Sequence, residues 1–564
     1  MKLFFDKQTF NVAKMKIAKL KKWFLSGIII LAIPVFFAFN DDVDFEIVKN
    51  LDIYYSLFRE LNVYYVDEIK PSEVIKKSID AMLGSLDPYT VYIPESQIED
   101  FRFMTTGQYG GVGSIIMQRD NEIMVSETYE GYPAQKNNIL PGDVILEVDG
   151  KSIKDKNVSE ISEWLKGQPN TEIELKIRKA VTNEVQIKKL KREEIKIKNV
   201  PYYGLIDEQI GYIYLANFTE NASAEVAKAF KELKEQGMKQ LVLDLRGNPG
   251  GLLMEAVNLM SIFVPKGTLI VSTKGRVKDW DQSYYSTIPP IDTEIPVTVL
   301  TNSGSASASE IVAGAMQDLD RGVVIGQRTF GKGLVQTTRD LSYNAKLKIT
   351  TAKYYTPSGR CIQAIDYSHR NPDGSVGKIP DSLIHPFKTK IGRVVYDGGG
   401  INPDKFVEPE ELSPIGQALL EHYIIFDYAN KFYAAHPTMT ELNNVIISDK
   451  IYQDFVDFAT SKKFQYKTQS EEVLDDLTQS LKKDKYYDFA QTDLEHLKKQ
   501  IEANKQNDFK LFENEIKQLL FEEIAERYYF QKGRILAMLK NDPAVKAAKE
   551  VLTNAAEYKK ILSN

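Results

Sequence analysis

The 564-residue sequence contains one cysteine and five scattered histidines. A single cysteine excludes an internal disulfide framework and any thiolate-rich zinc site. Histidines at 369, 385, 422, 436 and 496 do not cluster as a multi-histidine metal centre would, so no metal and no cofactor is expected. No repeat or low-complexity tract interrupts the chain, and 43% hydrophobic residues argue against wholesale disorder. An excess of positive charge is missing too. The formal net charge is −6, and seven lysines in residues 1–22 against Asp6 give that stretch about +6. The remainder is therefore near −12, which leaves no basic footprint for nucleic acid. The length exceeds what one core usually supports, so several domains are expected.

Only one long apolar run is present. Trp23–Phe39 (WFLSGIIILAIPVFFAF) follows the lysines and precedes Asp41, Asp42 and Asp44, the order of the positive-inside rule. Its 17 residues sit at the short end for a membrane span. An uncleaved membrane anchor is the favoured reading and a cleaved signal peptide the alternative, because Ala38-Phe39-Asn40 makes a poor cleavage site. Both readings export the bulk of the chain.

Residues 44–103 carry apolar positions at helical spacing, among them Val48, Leu51, Tyr55 and Leu61. From Gly107 to Lys189 short strand patterns (GSIIMQ, EIMVSETY, DVILEVDG, EIELKIRK) and one helix, Val158–Lys166, suggest a compact β-rich module. Residues 209–336 alternate between strand and helix. GYIYLANF, LVLDL, LIVST, PVTVLT and GVVIG read as strands, with helices at Ala222–Gln236, Leu252–Val264 and Ala308–Leu319. That alternation predicts a mostly parallel sheet, and LVLDL has the continuous apolar character of a strand covered on both faces. LKITTAKYYT adds another strand, and from about Pro409 the chain is helical and charged.

Three segments carry chemistry. Thr301–Ile311 (TNSGSASASEI) places Ser307 just ahead of a helix, where Ser307-x-x-Glu310 fits an ordinary capping box. The same position gives a serine free N–H groups and a positive dipole end that stabilise developing negative charge. Such a serine needs a base. In GQRTFGKGLVQ, Lys332 lies between two glycines; it is a solvated surface lysine or one desolvated enough to stay neutral near pH 7. Gln336, four residues on, shares a face with it in a helix or a strand, and the β-rich sequence beyond favours the strand. The third segment, LDLRGNPGG, is a glycine-rich strand-to-helix turn of the kind that bares backbone N–H groups, without the spacing or terminal Lys-Ser/Thr of a phosphate loop.

Together these segments resemble the carboxyl-terminal processing peptidases, also called tail-specific proteases. The resemblance spans about Leu51–Asp404 and rests on LDPYTVYIP (86–94), YGGVG (109–113), LPGDVILEVDGK (140–151), LDLRGNPGG (243–251), SASASEIVAGAMQD (305–318), GQRTFGKGLVQ (326–336), AKYYTPSGRCIQ (352–363) and GINPD (400–404). It implies a multidomain α/β protein: a crotonase/ClpP-like protease core with an inserted PDZ domain, a helical N-terminal segment and a helical C-terminal extension. The corresponding boundaries are 1–40 for the basic segment and anchor or signal, 41–106 for a helical cap, 107–190 for the PDZ domain, 191–408 for the peptidase core and 409–564 for the extension.

Carried over by position, the resemblance makes Ser307 the nucleophile, Lys332 its base, Gln336 the orienting group, and the N–H groups of Gly251 and Ala308 the oxyanion donors. Ser305 and Ser309 are left with turn and capping roles, and Arg246 with a structural one. Gly111, Val112, Gly113 and Ser114 would hold a peptide carboxylate. Ser114 stands where relatives usually have an apolar residue, and Asn137-Asn138 replaces a common Ala-Gly pair. The implied activity is a serine endopeptidase of the bacterial cell envelope that takes exported polypeptides by their C-terminal tails, the catalytic part lying in the periplasm. A Ser-His hydrolase using His369, whose stretch Tyr367–Arg370 in the apparent insertion Ala364–Gly399 reads as a solvated loop, is one rival; a catalytically silent membrane-tethered PDZ scaffold and acyl-CoA chemistry are the others. Cys361 reads as a packed residue. The C-terminal helices, including Phe512–Leu539 with Ile516, Leu519, Leu520, Ile524 and Tyr528 at helical spacing, either pack on the core or serve self-association or an adaptor.

Overall fold

The computed structural model describes residues 41–371, 373–438 and 447–563. Among them no helix is long and apolar enough to cross a membrane, and Trp23–Phe39 lies outside the described residues. The chain divides into two compact units, up to Ser85 and from Leu86 onward. In the first, helices α1 (Asp41–Tyr64) and α2 (Pro71–Gly84) are joined by a short link, with Pro71 starting α2 where its missing N–H costs nothing. Tyr54 and Ser78 share a hydrogen bond across the pair at 2.5 Å. The helical spacing of Val48, Leu51 and Tyr55 is real, yet all three side chains are exposed.

The second unit opens with β1 (Val91–Ile93) and α3 (Ile98–Thr106). Strand β2 (Gln108–Gly111) pairs antiparallel with β8 (Glu193–Lys196), closing the two ends of a β-rich module onto each other. Inside it β3 (Ser114–Arg119), β4 (Glu122–Thr128), β5 (Val144–Val148), β6 (Glu172–Arg178) and β7 (Val185–Lys191) form an antiparallel sheet in that order, so β3 is an edge strand. Helix α4 (Val158–Leu165) starts at an Asn157–Glu160 capping box and buries Ile161 and Leu165 in the module's own core.

A six-stranded sheet follows: β9 (Tyr202–Leu205), β10 (Ile210–Tyr214), β11 (Gln240–Asp244), β14 (Val297–Thr301), β15 (Val323–Gly326) and β19 (Lys405–Phe406). All its pairings are parallel except β9 with β10. Helices α5 (Ala222–Glu235), α6 (Leu253–Met260) and α7 (Ala308–Asp318) bury their apolar sides against one face, with Leu241, Leu243, Val297 and Val299. Alternate residues Val242, Leu300, Val323 and Ile325 point the other way. There a helix from the far end of the chain, α14 (Pro543–Thr553), covers them with Val545, Ala548, Val551 and Leu552.

Three local expectations are corrected. Helix α6 ends at Met260 rather than Val264, because Ile262 and Phe263 reach back only three residues and Pro265 has no N–H to continue. LIVST becomes β12 (Leu269–Gly275) but leaves the parallel sheet; it pairs antiparallel with β13 (Gln282–Tyr285) and with β17 (Lys346–Tyr355). Strand β17 also pairs with β1 and with β16 (Leu334–Asp340), making a second sheet. Finally, Tyr367–Arg370 is no loop: it belongs to β18 (Ile365–Arg370), paired with Val376–Lys378.

Helices α8 (Pro414–Glu421), α9 (Ile424–Ala435), α10 (Asp449–Ser461) and α13 (Glu513–Leu539) build a separate core in which Ile516, Leu520 and Ile524 are fully buried. Helix α9 also touches the β-rich module, where Asp427 accepts two hydrogen bonds from Arg119 at 2.8 and 3.0 Å. Because α14 supplies the second cover of the parallel sheet, Leu552→Ala should destabilise the unit by about 2–5 kcal/mol. Exposed Val473→Ala should cost no more than about 0.5 kcal/mol. Chemical denaturation of the two variants checks both values.

Candidate active site

Adjacent parallel strands β11 and β14 deliver two loops to the same end of the sheet, outside their carboxyl ends, where open α/β sheets present their ligand sites. The first loop, Leu245–Gly251, is shaped from within by Asn248. Its fully buried amide donates to Leu215 O at 2.7 Å and accepts from Gly250 N–H at 2.9 Å. Gly250 has φ +95°, and a Cβ there would lie 2.8 Å from both Ser307 Cβ and Ala308 N. Only glycine lets the two loops approach this closely.

The serines on either side of Ser307 fasten the loops together. Ser305 Oγ donates to Leu245 O at 2.8 Å and Ser309 Oγ to Asn248 O at 2.9 Å. Ser307 itself is held differently. Ser413, Ser448 and Thr468, which cap other helices of this chain, have extended backbones and accept an N–H of the first turn. Ser307 instead has φ +55° and ψ −112°, a conformation costly for a residue with a Cβ. It sits half-buried at the start of α7, on a strained strand-to-helix turn of the kind that presents a nucleophile.

Glu310 holds that strain. Fully buried, its carboxylate accepts the Ser307 N–H at 2.8 Å, the Thr329 hydroxyl at 2.5 Å, the Gly331 N–H at 2.7 Å and the Lys332 N–H at 2.9 Å. Burial pushes its pKa up to about 7, while the four donors favour the carboxylate. Tyr354, also buried, donates to Ser307 O at 3.1 Å.

Lys332 arrives on the loop after β15. The loop is packed tightly there: a Cβ on Gly331 would lie 2.3 Å from Ala364 Cβ, and one on Gly333 2.8 Å from Gln363 N. The Lys332 ammonium lies 4.3 Å from the centre of the Tyr89 ring. Its pKa is lowered to about 8, first by burial and then by the charge of Lys348, with Glu310 and Asp87 opposing the shift. Gln336, in β16, donates through Nε2 to Thr350 Oγ1 on β17 at 3.1 Å.

Gly251 forms a parallel bridge with Phe218: Phe218 N–H donates to Gly250 O and Leu252 N–H to Phe218 O, at 3.1 and 2.7 Å. That pattern leaves the Gly251 N–H unused. Ala308 is the first residue of α7, where a helical N–H has no partner four residues back. Ser307, Ala308, Gly251, Lys332 and Gln336 all line one cleft of about 600 Å³, with Leu252, Ile311, Leu334 and Tyr354 on its apolar walls and no histidine among the lining residues.

His369 has a side chain 87% exposed and bonded to Asp366 at 2.7 Å, and it is not among the residues lining the cleft. Arg246 pairs with Asp244 and Asp542 at 2.6 Å each, tying the glycine-rich turn to the start of α14. Cys361 is partly buried, and burial raises its thiol pKa. In the β-rich module Val112 O accepts from Ala134 N–H at 2.8 Å and Gly113 O from Tyr129 N–H at 3.0 Å. Gly113 has φ +75°, and a Cβ there would lie 2.5 Å from Tyr132 Cβ. Residues 111–114 thus lead into the edge strand β3.

Comparison with known proteins accords with this architecture. Residues 209–373 match peptidase family S41, 124–179 match a PDZ domain, and 415–552 match a domain described as "Probable PDZ-protease, C-terminal helical domain". A "Carboxy-terminal-processing protease" of Bartonella bacilliformis is 38% identical over 321 residues, 56% of this chain and 73% of that protein. The chain belongs to peptidase family S41. A "Probable CtpA-like serine protease" of Staphylococcus aureus is 33% identical over 406 residues, 70% of this chain and 80% of that protein. Among solved structures, a photosystem II D1 C-terminal processing protease is 29% identical, with a TM-score of 0.34, covering 64% of this chain and 88% of that one. Membership in the S41 family makes the chain a serine-type peptidase with a PDZ domain.

Sequence reasoning passed over Tyr89, Tyr354 and the loop-linking role of Glu310. All three lie inside the quoted motifs, but their partners are distant in the chain, and only the fold shows the pairings. Glu310→Ala should leave four donors without their acceptor and cost about 3 kcal/mol or more. Glu310→Gln tests the charge. With its pKa raised from 4.5 to about 7, native Glu310 binds its proton more tightly than the unfolded chain does. The proton-linked part of its contribution to stability is therefore complete below about 4.5 and lost as pH rises through about 7, while the four hydrogen bonds to its oxygens remain. Denaturation midpoints from acid to mildly alkaline pH should lose that component in Glu310→Gln.

Proposed function

We propose that the protein is an endopeptidase that cleaves exported polypeptides by Ser-Lys acyl-enzyme chemistry and selects them by their C-terminal tails through its PDZ domain. The observation that carries this reading is the shared cleft: a strained serine at the head of α7 and a lysine whose amine burial brings within reach of neutrality.

Neutral Lys332 takes the proton of Ser307 Oγ as the oxygen attacks the scissile carbonyl carbon. The carbonyl π-electrons move onto oxygen, where the N–H groups of Gly251 and Ala308 stabilise the oxyanion. The Lys332 ammonium then protonates the leaving amine as the C–N bond breaks. Water, deprotonated by the same amine, attacks the acyl-enzyme, and the proton returned to Ser307 frees the new carboxylate. Gln336 spends an amide hydrogen on Thr350, so its carbonyl oxygen is the group available to orient Lys332 without charging it. A carboxylate at that position would hold the lysine protonated.

Selection by tails rests on β3. As an edge strand it has unpaired backbone groups for an added peptide strand, and α4 lies beside it. The Gly111-Val112-Gly113-Ser114 segment would receive the terminal carboxylate. The remaining parts of the reading are a cell-envelope location, with Trp23–Phe39 as anchor or signal, and a protease core at 191–408 flanked by PDZ and helical domains with the boundaries given above. A Ser-His mechanism is disfavoured by the absence of histidine from the cleft lining.

Ser307→Ala and Lys332→Ala should each abolish cleavage of an unfolded, tailed reporter while keeping the wild-type melting temperature. Cleavage surviving in Lys332→Ala removes the lysine from the mechanism. Because the base must be deprotonated, kcat/KM should rise with pH through about 8. Amidating the reporter's C-terminus should lower kcat/KM about tenfold or more, since a charge-assisted contact is lost. Equal rates for amidated and free tails would remove carboxylate recognition.

A further inference from the structure

The cleft contains a second lysine for which the mechanism above has no use. Strands β16 and β17 pair antiparallel with Gln336 opposite Thr350 and Thr338 opposite Lys348. Side chains alternate along a strand, so Gln336, Thr338, Lys348 and Thr350 share one face. The Gln336–Thr350 hydrogen bond crosses that face, and Gln336, Thr338 and Lys348 line the cleft together with Lys332 and Ser307.

Lys346, two residues earlier on the same strand, has a counter-ion: its ammonium lies 2.5 Å from Asp340. Among the described residues no carboxylate lies within salt-bridge distance of Lys348, and none lies within that distance of Lys332. Two half-buried lysines, neither ion-paired, therefore share one cleft. The groups turned toward Lys332 from the surrounding elements are Lys348 on β17, Glu310 on α7, and Asp87 and Tyr89 on the segment before β1. Glu310 and Asp87 attract a proton to Lys332, and Lys348 alone of the charged groups repels one. Glu310 is committed to the four donors that hold the loops, and Asp87 to Tyr89 N–H, Thr90 N–H and the Thr90 hydroxyl.

We propose that Lys348 is a positioning residue for the proton: a positive charge, acting through Lys332, that raises the unprotonated fraction of the Lys332 amine at working pH. The proposal rests on Lys332 being the base. A cation beside an amine raises the energy of that amine's protonated form, and burial of both removes the water that would otherwise screen the repulsion. Burial also lowers the pKa of Lys348 itself.

The test compares wild type with Lys348→Met, Lys348→Gln and Lys348→Arg in the full chain. One measurement is the pH profile of kcat/KM on the tailed reporter. The other is competitive acetylation of Lys332 by acetic anhydride in the Ser307→Ala background, read by mass spectrometry, which reports the amine directly. Removing the charge should move the Lys332 titration up by about 0.5–1 pH unit. Activity near pH 7 should then fall about three- to tenfold, by the same shift, while the alkaline plateau stays within about twofold. Lys348→Arg should restore the wild-type profile. Lys348→Gln serves should Lys348→Met fail to fold.

An unmoved Lys332 titration in either neutral variant overturns the proposal. So does Lys348→Arg behaving like Lys348→Met. A uniform loss at every pH, or a loss confined to reporters with acidic residues beside the scissile bond, would make Lys348 a structural or substrate contact instead. Activity in Lys332→Ala sinks the base assignment and this inference together; a dead Lys332→Ala with an unmoved titration in Lys348→Met sinks this inference alone.

Discussion

The carboxylate of Glu310 is the constraint on which the site depends. It gathers N–H groups from Ser307, Gly331 and Lys332 and the hydroxyl of Thr329, and so joins the loop after β14 to the loop after β15. A buried charge is tolerated only when its lone pairs are satisfied. Satisfying this one requires both loops to be in place at once. The strained Ser307 backbone and the Lys332 loop are therefore consequences of one electrostatic requirement rather than two independent folding choices.

The proton inventory of the cleft follows from the same burial. Removing water raises the pKa of the carboxylic acid and lowers that of the amine, bringing Glu310 to about 7 and Lys332 to about 8. Above that range Glu310 is charged and holds the loops while Lys332 is neutral. A carboxylate could not be allowed next to the Lys332 amine without undoing this. The fold keeps Glu310 on the backbone N–H of Lys332 and offers the side chain the ring of Tyr89 and the amide side of the cleft.

Support for the site extends far along the chain. Helix α14 covers the second face of the parallel sheet, and Asp542 at its start pairs with Arg246 in the glycine-rich turn. Asp427 in α9 grips Arg119 at the end of the edge strand β3. The C-terminal helices thus contact both the sheet beneath the cleft and the PDZ module.

The sequence by itself determined the local elements. The alternation of apolar runs and amphipathic stretches set most strands and helices of the parallel sheet, because period and composition are properties of neighbouring residues. The two-sided burial of LVLDL was legible for the same reason, although its second cover, 300 residues away, was not. The five proposed catalytic residues were legible through motifs, each of which lies within a short segment. Tertiary structure alone decided that LIVST leaves the parallel sheet for β17 and that Ser307, in its capping box with Glu310, has a strained backbone. It also decided that Lys348 and Lys332 line one cleft. Strand partnership, backbone strain and unpaired charge all depend on which groups meet across long sequence separations, and no local pattern encodes which acceptor a donor will find.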